Sequence, residues 1–137
     1  MNDLKKARQL LTEGGYTCVL CKGDIVYTST HRGVRPLMDL LDTDVSGFSA
    51  ADKVVGKATA LLYCLLNIKE LHTCIISDAA AEVLQTHNIP VQWDFRVPFI
   101  KNREGTGRCP METATEGISN PADAPEAIRK KLKELQG

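Results

Sequence analysis

Apolar positions near the N-terminus fall at Leu4, Ala7, Leu10 and Leu11, a spacing of three and four that predicts an amphipathic helix stopped by Gly14-Gly15, with Asp3 placed to cap it. The period then shortens. In "YTCVLCKGDIVYTST" two β-rich runs surround Lys22-Gly23-Asp24, the pattern of a hairpin. "HRGVRPLMDLLDTD" follows, with Pro36 suited to the first turn of a short helix burying Leu37, Leu40 and Leu41.

From Val54 to Leu66 nearly every residue is apolar or small, which predicts a buried central helix opened by Ser49, with Asp52 as the acid of a capping box. "LHTCIISD" reads as a short apolar strand. Ser77 or Asp78 then caps a helix through "AAAEVLQTH" that ends at Asn88, and "VQWDFRVPFI" is extended again. A glycine-containing loop, a short helix after Cys109 and a terminal helix complete the chain. That last helix is expected to be capped by Asp123 and to bury Ile128, Leu132 and Leu135. Helical crossovers between strands imply partly parallel pairing, so residues 1–137 are expected to form one α/β domain with a sheet covered on both faces.

Composition narrows the partners. Lysine plus arginine and aspartate plus glutamate number 17 each among 137 residues, so no global field draws in nucleic acid or a membrane surface. The N-terminus lacks the pattern of a secretory signal, and no apolar run reaches the ~18 residues of a membrane span, which gives a cytoplasmic reading. Of the five cysteines, Cys18, Cys21, Cys64 and Cys74 fall in apolar segments, as buried free thiols do. Cys18 and Cys21, three apart on a strand, point to opposite faces and form no zinc pair; no cofactor is implied.

Lys57 interrupts the apolar helix. Lys53 one turn earlier repels it, and Gly56 weakens a helix by up to about 1 kcal/mol, so three unfavourable choices crowd five residues. A snorkelling lysine beside a packing glycine is the plain structural alternative. The functional reading gathers Asp52, Lys53 and Lys57 at a helix start that favours an anion, with Lys57 as phosphate ligand, base or nucleophile. A second unusual stretch, "IKNREGTGRCPMETA", brings Lys101, Arg103 and Arg108 beside Gly105, Thr106 and Gly107, whose backbone can approach a ligand. There Cys109 precedes Pro110 at a helix start with Glu112 at the third position, a setting that activates thiols. "STHRGVRPL" adds Ser29, Thr30, Arg32 and Arg35 after a strand end.

Taken together, "GVRPL", "ADKVVGKA" and "GTGRCPME" resemble a bacterial and archaeal family labelled a domain of unknown function, whose fold is similar to cytidine deaminase. The resemblance runs from the first hairpin to the last helix. It implies a three-layer αβα sandwich with a mixed, roughly five-stranded sheet. Zinc deaminases carry His-x-Glu at one helix start and Pro-Cys-x-x-Cys at the next. Here Ala51-Asp52-Lys53 and Ser77-Asp78-Ala79-Ala80-Ala81 stand there instead, and the metal ligands are missing.

Three functions follow. One is a zinc-independent enzyme acting on a small anionic, nucleotide-like ligand, with Asp52, Lys53, Lys57 and Cys109 as catalytic candidates and Arg35, Gly56, Arg103, Gly105, Thr106, Gly107 and Glu112 as binding candidates. The second is a non-catalytic module recognising a metabolite with the same cations. The third is an interaction or homo-oligomeric role anchored by Met38, Trp93, Phe95 and Phe99.

Overall fold

The computed structural model describes residues 2–102 and 104–136. Helix α1 (Asp3–Gly14) is capped by Asn2, whose side chain accepts from Lys5 N–H at 2.8 Å. Asp3 is not the cap; its carboxylate accepts from Gly23 N–H and so ties α1 to the turn of the hairpin β1 (Cys18–Lys22) and β2 (Ile25–Ser29). After the short α2 (Arg35–Met38) come β3 (Ser49–Val55), α3 (Lys57–Leu66), β4 (Glu70–Ser77), α4 (Asp78–Thr86) and β5 (Val91–Val97). The five-residue α5 (Pro110–Ala114), a 3-10 turn at Pro121–Asp123 and α6 (Ala124–Gln136) close the chain.

The sheet order is β2-β1-β3-β4-β5; the first two pairings are antiparallel and the last two parallel. Helix α1 covers one face through Ala7 and Leu11 on Val19, Cys21 and Ala51, while the larger core beneath α3 and α4 buries Cys18, Leu20, Ala50, Leu61, Leu62, Leu71, Ile76 and Leu84 on the other. Three layers result, with Cys18 and Cys21 on opposite faces as their spacing requires. Ser77 caps α4 by accepting from Ala80 N–H.

One expected element is overturned. Ser49–Val55 is a strand, and the central helix begins only at Lys57, with Gly56 extended at its N-cap. The segment pairs with β1 on one side and β4 on the other, and pairing on both sides outweighs the helix preference of its two alanines. Asp52 is therefore no capping acid. Alternation also slips inside this strand: Asp52 and Val55 both face α3, leaving Lys53 and Val54 exposed on the opposite side. In α6 Ile128 is buried and Leu132 partly so, whereas Leu135 is 57% exposed, because the final turn extends past the core.

Candidate functional site

At the first turn of α3 the carboxylate of Glu112 accepts from Lys57 N–H at 3.2 Å and from Ile100 N–H at 3.1 Å. The absence of a side chain at Gly56 permits this approach: a Cβ there would lie 3.1 Å from Glu112 Oε1 and 3.3 Å from Ile100 Cγ1. Lys57 Nζ donates to the Glu116 carbonyl at 2.7 Å, satisfying a group just beyond the end of α5. The lysine that looked stranded in a helix interior is its first residue, half-buried and tied to α5. An anion at this helix start is already supplied by the protein itself.

The loop before α5 closes as a small hairpin. Lys101 and Arg108 bridge antiparallel, Asn102 N–H donates to the Gly107 carbonyl, Thr106 N–H donates to Asn102 Oδ1, and Gly105 takes φ 72°. Arg103 lies outside the described residues. Cys109 sits half-buried at the N-cap of α5, its N–H donating to the Ile100 carbonyl at 2.7 Å. Glu112 and Glu116 thus bring the Cys109 loop and Lys57 into one region. Lys53 is exposed on the opposite face of β3 from Asp52, and Arg35 is exposed on α2; the structure does not gather the three candidates Asp52, Lys53 and Lys57.

Asp52 belongs to another cluster. Tyr63 Oη donates to Asp52 Oδ2 at 2.7 Å from α3, and Cys18 Sγ lies 3.3 Å from the same phenol oxygen. Because Cys18 and Asp52 are register partners on adjacent strands, both side chains meet Tyr63 beneath the helix. All three residues are buried. Burial pushes the Asp52 carboxyl up to about 7, against the opposing pull of hydrogen bonds from Tyr63 and from the Val54 and Lys53 backbone. Burial likewise raises the Cys18 thiol and the Tyr63 phenol, and the nearby Asp52 charge raises both further.

Cys18 is also the floor of a cleft of about 290 Å3, walled by Tyr27, Ser29, His31, Pro36 and Asp39. The cleft lies between the hairpin and α2, at the level of Ala50 to Asp52 in the middle of β3. Arg32 and Arg35 are exposed within the wall segment bounded by His31 and Pro36. A larger hollow of about 370 Å3, lined by Lys22, Asp44, Ser46 and Phe48 on the other side of Tyr27, has exposed charges and no buried titratable group. Sequence reasoning missed Cys18 and Tyr63. The available signal was a tyrosine inside an apolar helix, a phenol that needs a buried partner.

Among the described residues no group of three or more His, Cys, Asp and Glu side chains is placed to hold a metal ion, and no helix is long and apolar enough to cross a membrane. No curated protein matches the chain. Its fold is similar to the crystal structure of a DUF1893 family protein (TM1506) from Thermotoga maritima, with a TM-score of 0.88 at 22% identity, over 95% of this chain and 90% of that one. The profile described as "Domain of unknown function (DUF1893)" matches residues 6–132, and the chain therefore belongs to the DUF1893 family.

Proposed function

We propose that the chain binds, as a zinc-independent enzyme or a sensor module, a small anionic, nucleotide-like molecule in the cleft between the hairpin and α2. The observation that carries this reading is the cleft floor: Cys18 faces the cavity and is hydrogen-bonded behind to the buried Tyr63–Asp52 pair. Tyr27 offers an aromatic face and Ser29 and Asp39 offer hydrogen-bonding groups, while the exposed Arg32 and Arg35, between His31 and Pro36 but outside the lining, would have to swing in to meet an anionic end. In a deaminase-like scaffold, Gly56-Lys57-Ala58 and Ser77 to Ala81 at the helix starts carry no zinc-ligand motif. Five free cysteines suit a reducing, cytoplasmic setting.

The test is a thermal-shift screen of nucleobases, nucleosides and nucleotides on wild type, Asp39→Ala and Arg35→Ala, whose altered side chains are exposed. A ligand at about 100 times its dissociation constant adds roughly 2.7 kcal/mol of stability. One class should stabilise wild type and lose at least tenfold in affinity in the variants. A shift of equal size in all three chains, or none in wild type, removes this reading.

A second reading, self-association, is favoured by one observation. Val54, Ile75 and Phe95 are register partners across three strands and form an apolar row beside α1, with Val54 39% and Phe95 68% exposed. Lys53 flanks the small end and Asp94 the bulky end, so a second copy can set opposite charges and unequal side chains against each other. Of the other expected anchors, Met38 and Trp93 pack against the core and Phe99 is half-buried under Arg108. Sedimentation of wild type and Phe95→Asp decides: a dimer that the substitution dissociates supports this contact, and a monomer at every concentration removes it.

A further inference from the structure

We infer that Cys18 is a nucleophile whose proton is accepted by Asp52 through Tyr63, and that the cleft admits ligands presenting an electrophilic carbon to its sulfur. This rests on the cleft reading above and adds to it a reacting atom and a substrate class.

While Asp52 is ionised, the hydrogen-bond chain runs in one direction. Tyr63 has one proton and gives it to Asp52 Oδ2, so its oxygen can only accept from the Cys18 thiol. Two coupled proton movements, thiol to phenol oxygen and phenol proton to Oδ2, leave a thiolate, an intact phenol and a protonated Asp52, with no net charge created. The sulfur lone pair then forms an S–C bond to the ligand carbon. At a carbonyl, the C=O π pair moves to oxygen, which takes a proton from water, and Asp52 later returns the thiol proton to water. The sum is a thiol added across the double bond. With iodoacetamide the S–C bond replaces the C–I bond, and iodide leaves with the electron pair.

Burial and the Asp52 charge hold the free thiol above its ordinary range, so the thiolate forms by passing its proton to Asp52 and not by release into water. The titratable groups facing Asp52 are Tyr63 from α3 and Cys18 from β1, and the register neighbour from β4 is the neutral Thr73. Cys74 lies on the opposite sheet face. The titratable side chains that line the cleft with Cys18 and Tyr27 are His31 and Asp39. A carboxyl that changes charge close to neutral pH can act as the acceptor where an ordinary carboxylate would hold protons too weakly. Cys109, by contrast, packs beside Glu112 with no buried carboxyl hydrogen-bonded to it.

Iodoacetamide labelling of the folded chain, with each cysteine mapped by mass spectrometry from pH 5.5 to 10, tests the inference. In wild type the Cys18 rate should rise as Asp52 loses its proton near pH 7 and then change less than about twofold between pH 8 and 9. In Asp52→Asn the level region should vanish, with the rate climbing about tenfold over that unit, as for a thiol that burial holds well above its ordinary range. Cys109 should keep one profile in both chains. A wild-type Cys18 rate that climbs tenfold from pH 8 to 9, or Cys18 unlabelled where Cys109 reacts, overturns the inference. The wild-type profile decides even if the variant fails to fold. The two ideas separate cleanly: a level profile with no stabilising ligand removes only the ligand reading, and a stabilising ligand with a climbing profile removes only the nucleophile.

Discussion

Two polar clusters sit under or beside α3, and they differ in what their polar groups still have to do. At the helix start, Gly56, Lys57, Glu112 and Glu116 satisfy one another, with backbone N–H, carboxylate, ammonium and carbonyl all paired. Beneath the same helix, Cys18, Tyr63 and Asp52 form a chain that ends at a cavity. The first arrangement fastens α5 and its loop to the core. The second spends burial on a carboxyl whose proton affinity is moved toward neutrality, and such displaced groups concentrate where chemistry is done.

The largest expected contrast is in pH. The unfolded Asp52 carboxyl releases its proton near 4 and the folded one near 7, so between those values the folded state holds the extra proton. That stabilisation is fully present below about pH 4 and is lost as pH rises through 7, a difference on the order of 4 kcal/mol. Urea unfolding at pH 5 and pH 8 should show wild type weakening with pH, and Asp52→Asn should flatten that slope. No pH-dependent difference between the two chains would dissolve the contrast between the clusters.

Gly56→Val comes next. Its side chain meets Glu112 and Ile100 within about 3.3 Å, so the loop must shift, at about 2–3 kcal/mol measured by denaturant midpoint. Glu112→Ala leaves two backbone N–H groups without their acceptor and should cost about 1–2 kcal/mol, with increased proteolysis confined to the loop before α5. Lys57→Met is the mildest. It loses one hydrogen bond to a carbonyl at a half-exposed site, so the change should stay within about 1 kcal/mol and leave any cleft ligand bound. Should Lys57→Met instead abolish ligand-induced stabilisation, the helix start, and not the cleft, is where the ligand sits.

Much of the architecture was legible because its signals are local. Leu4, Ala7 and Leu11 mark α1, Lys22-Gly23-Asp24 marks the hairpin, Ser77 and Pro110 mark helix starts, and the Cys18–Cys21 spacing implies opposite faces. Ser49–Val55 was illegible because small apolar residues suit a buried strand as well as a buried helix, and only neighbours on both sides settle it. That error carried Asp52 and Lys57 onto the first turns of one imagined helix. Among the candidates, Asp52 does belong to a buried, chemically shifted cluster, although with partners different from those expected.

The sequence by itself determined an α/β chain with its elements in order except for β3, free thiols in apolar segments, and no zinc-ligand motif at either helix start, because periodicity, turn residues and ligand types are written in short windows. The tertiary structure alone decided which polar groups meet. Tyr63 reaches Asp52 across 11 positions, Cys18 reaches Tyr63 across 45, and Glu112 reaches Lys57 across 55. Such pairings follow from strand register and helix packing, which depend on the whole core at once, so no local window could have held them.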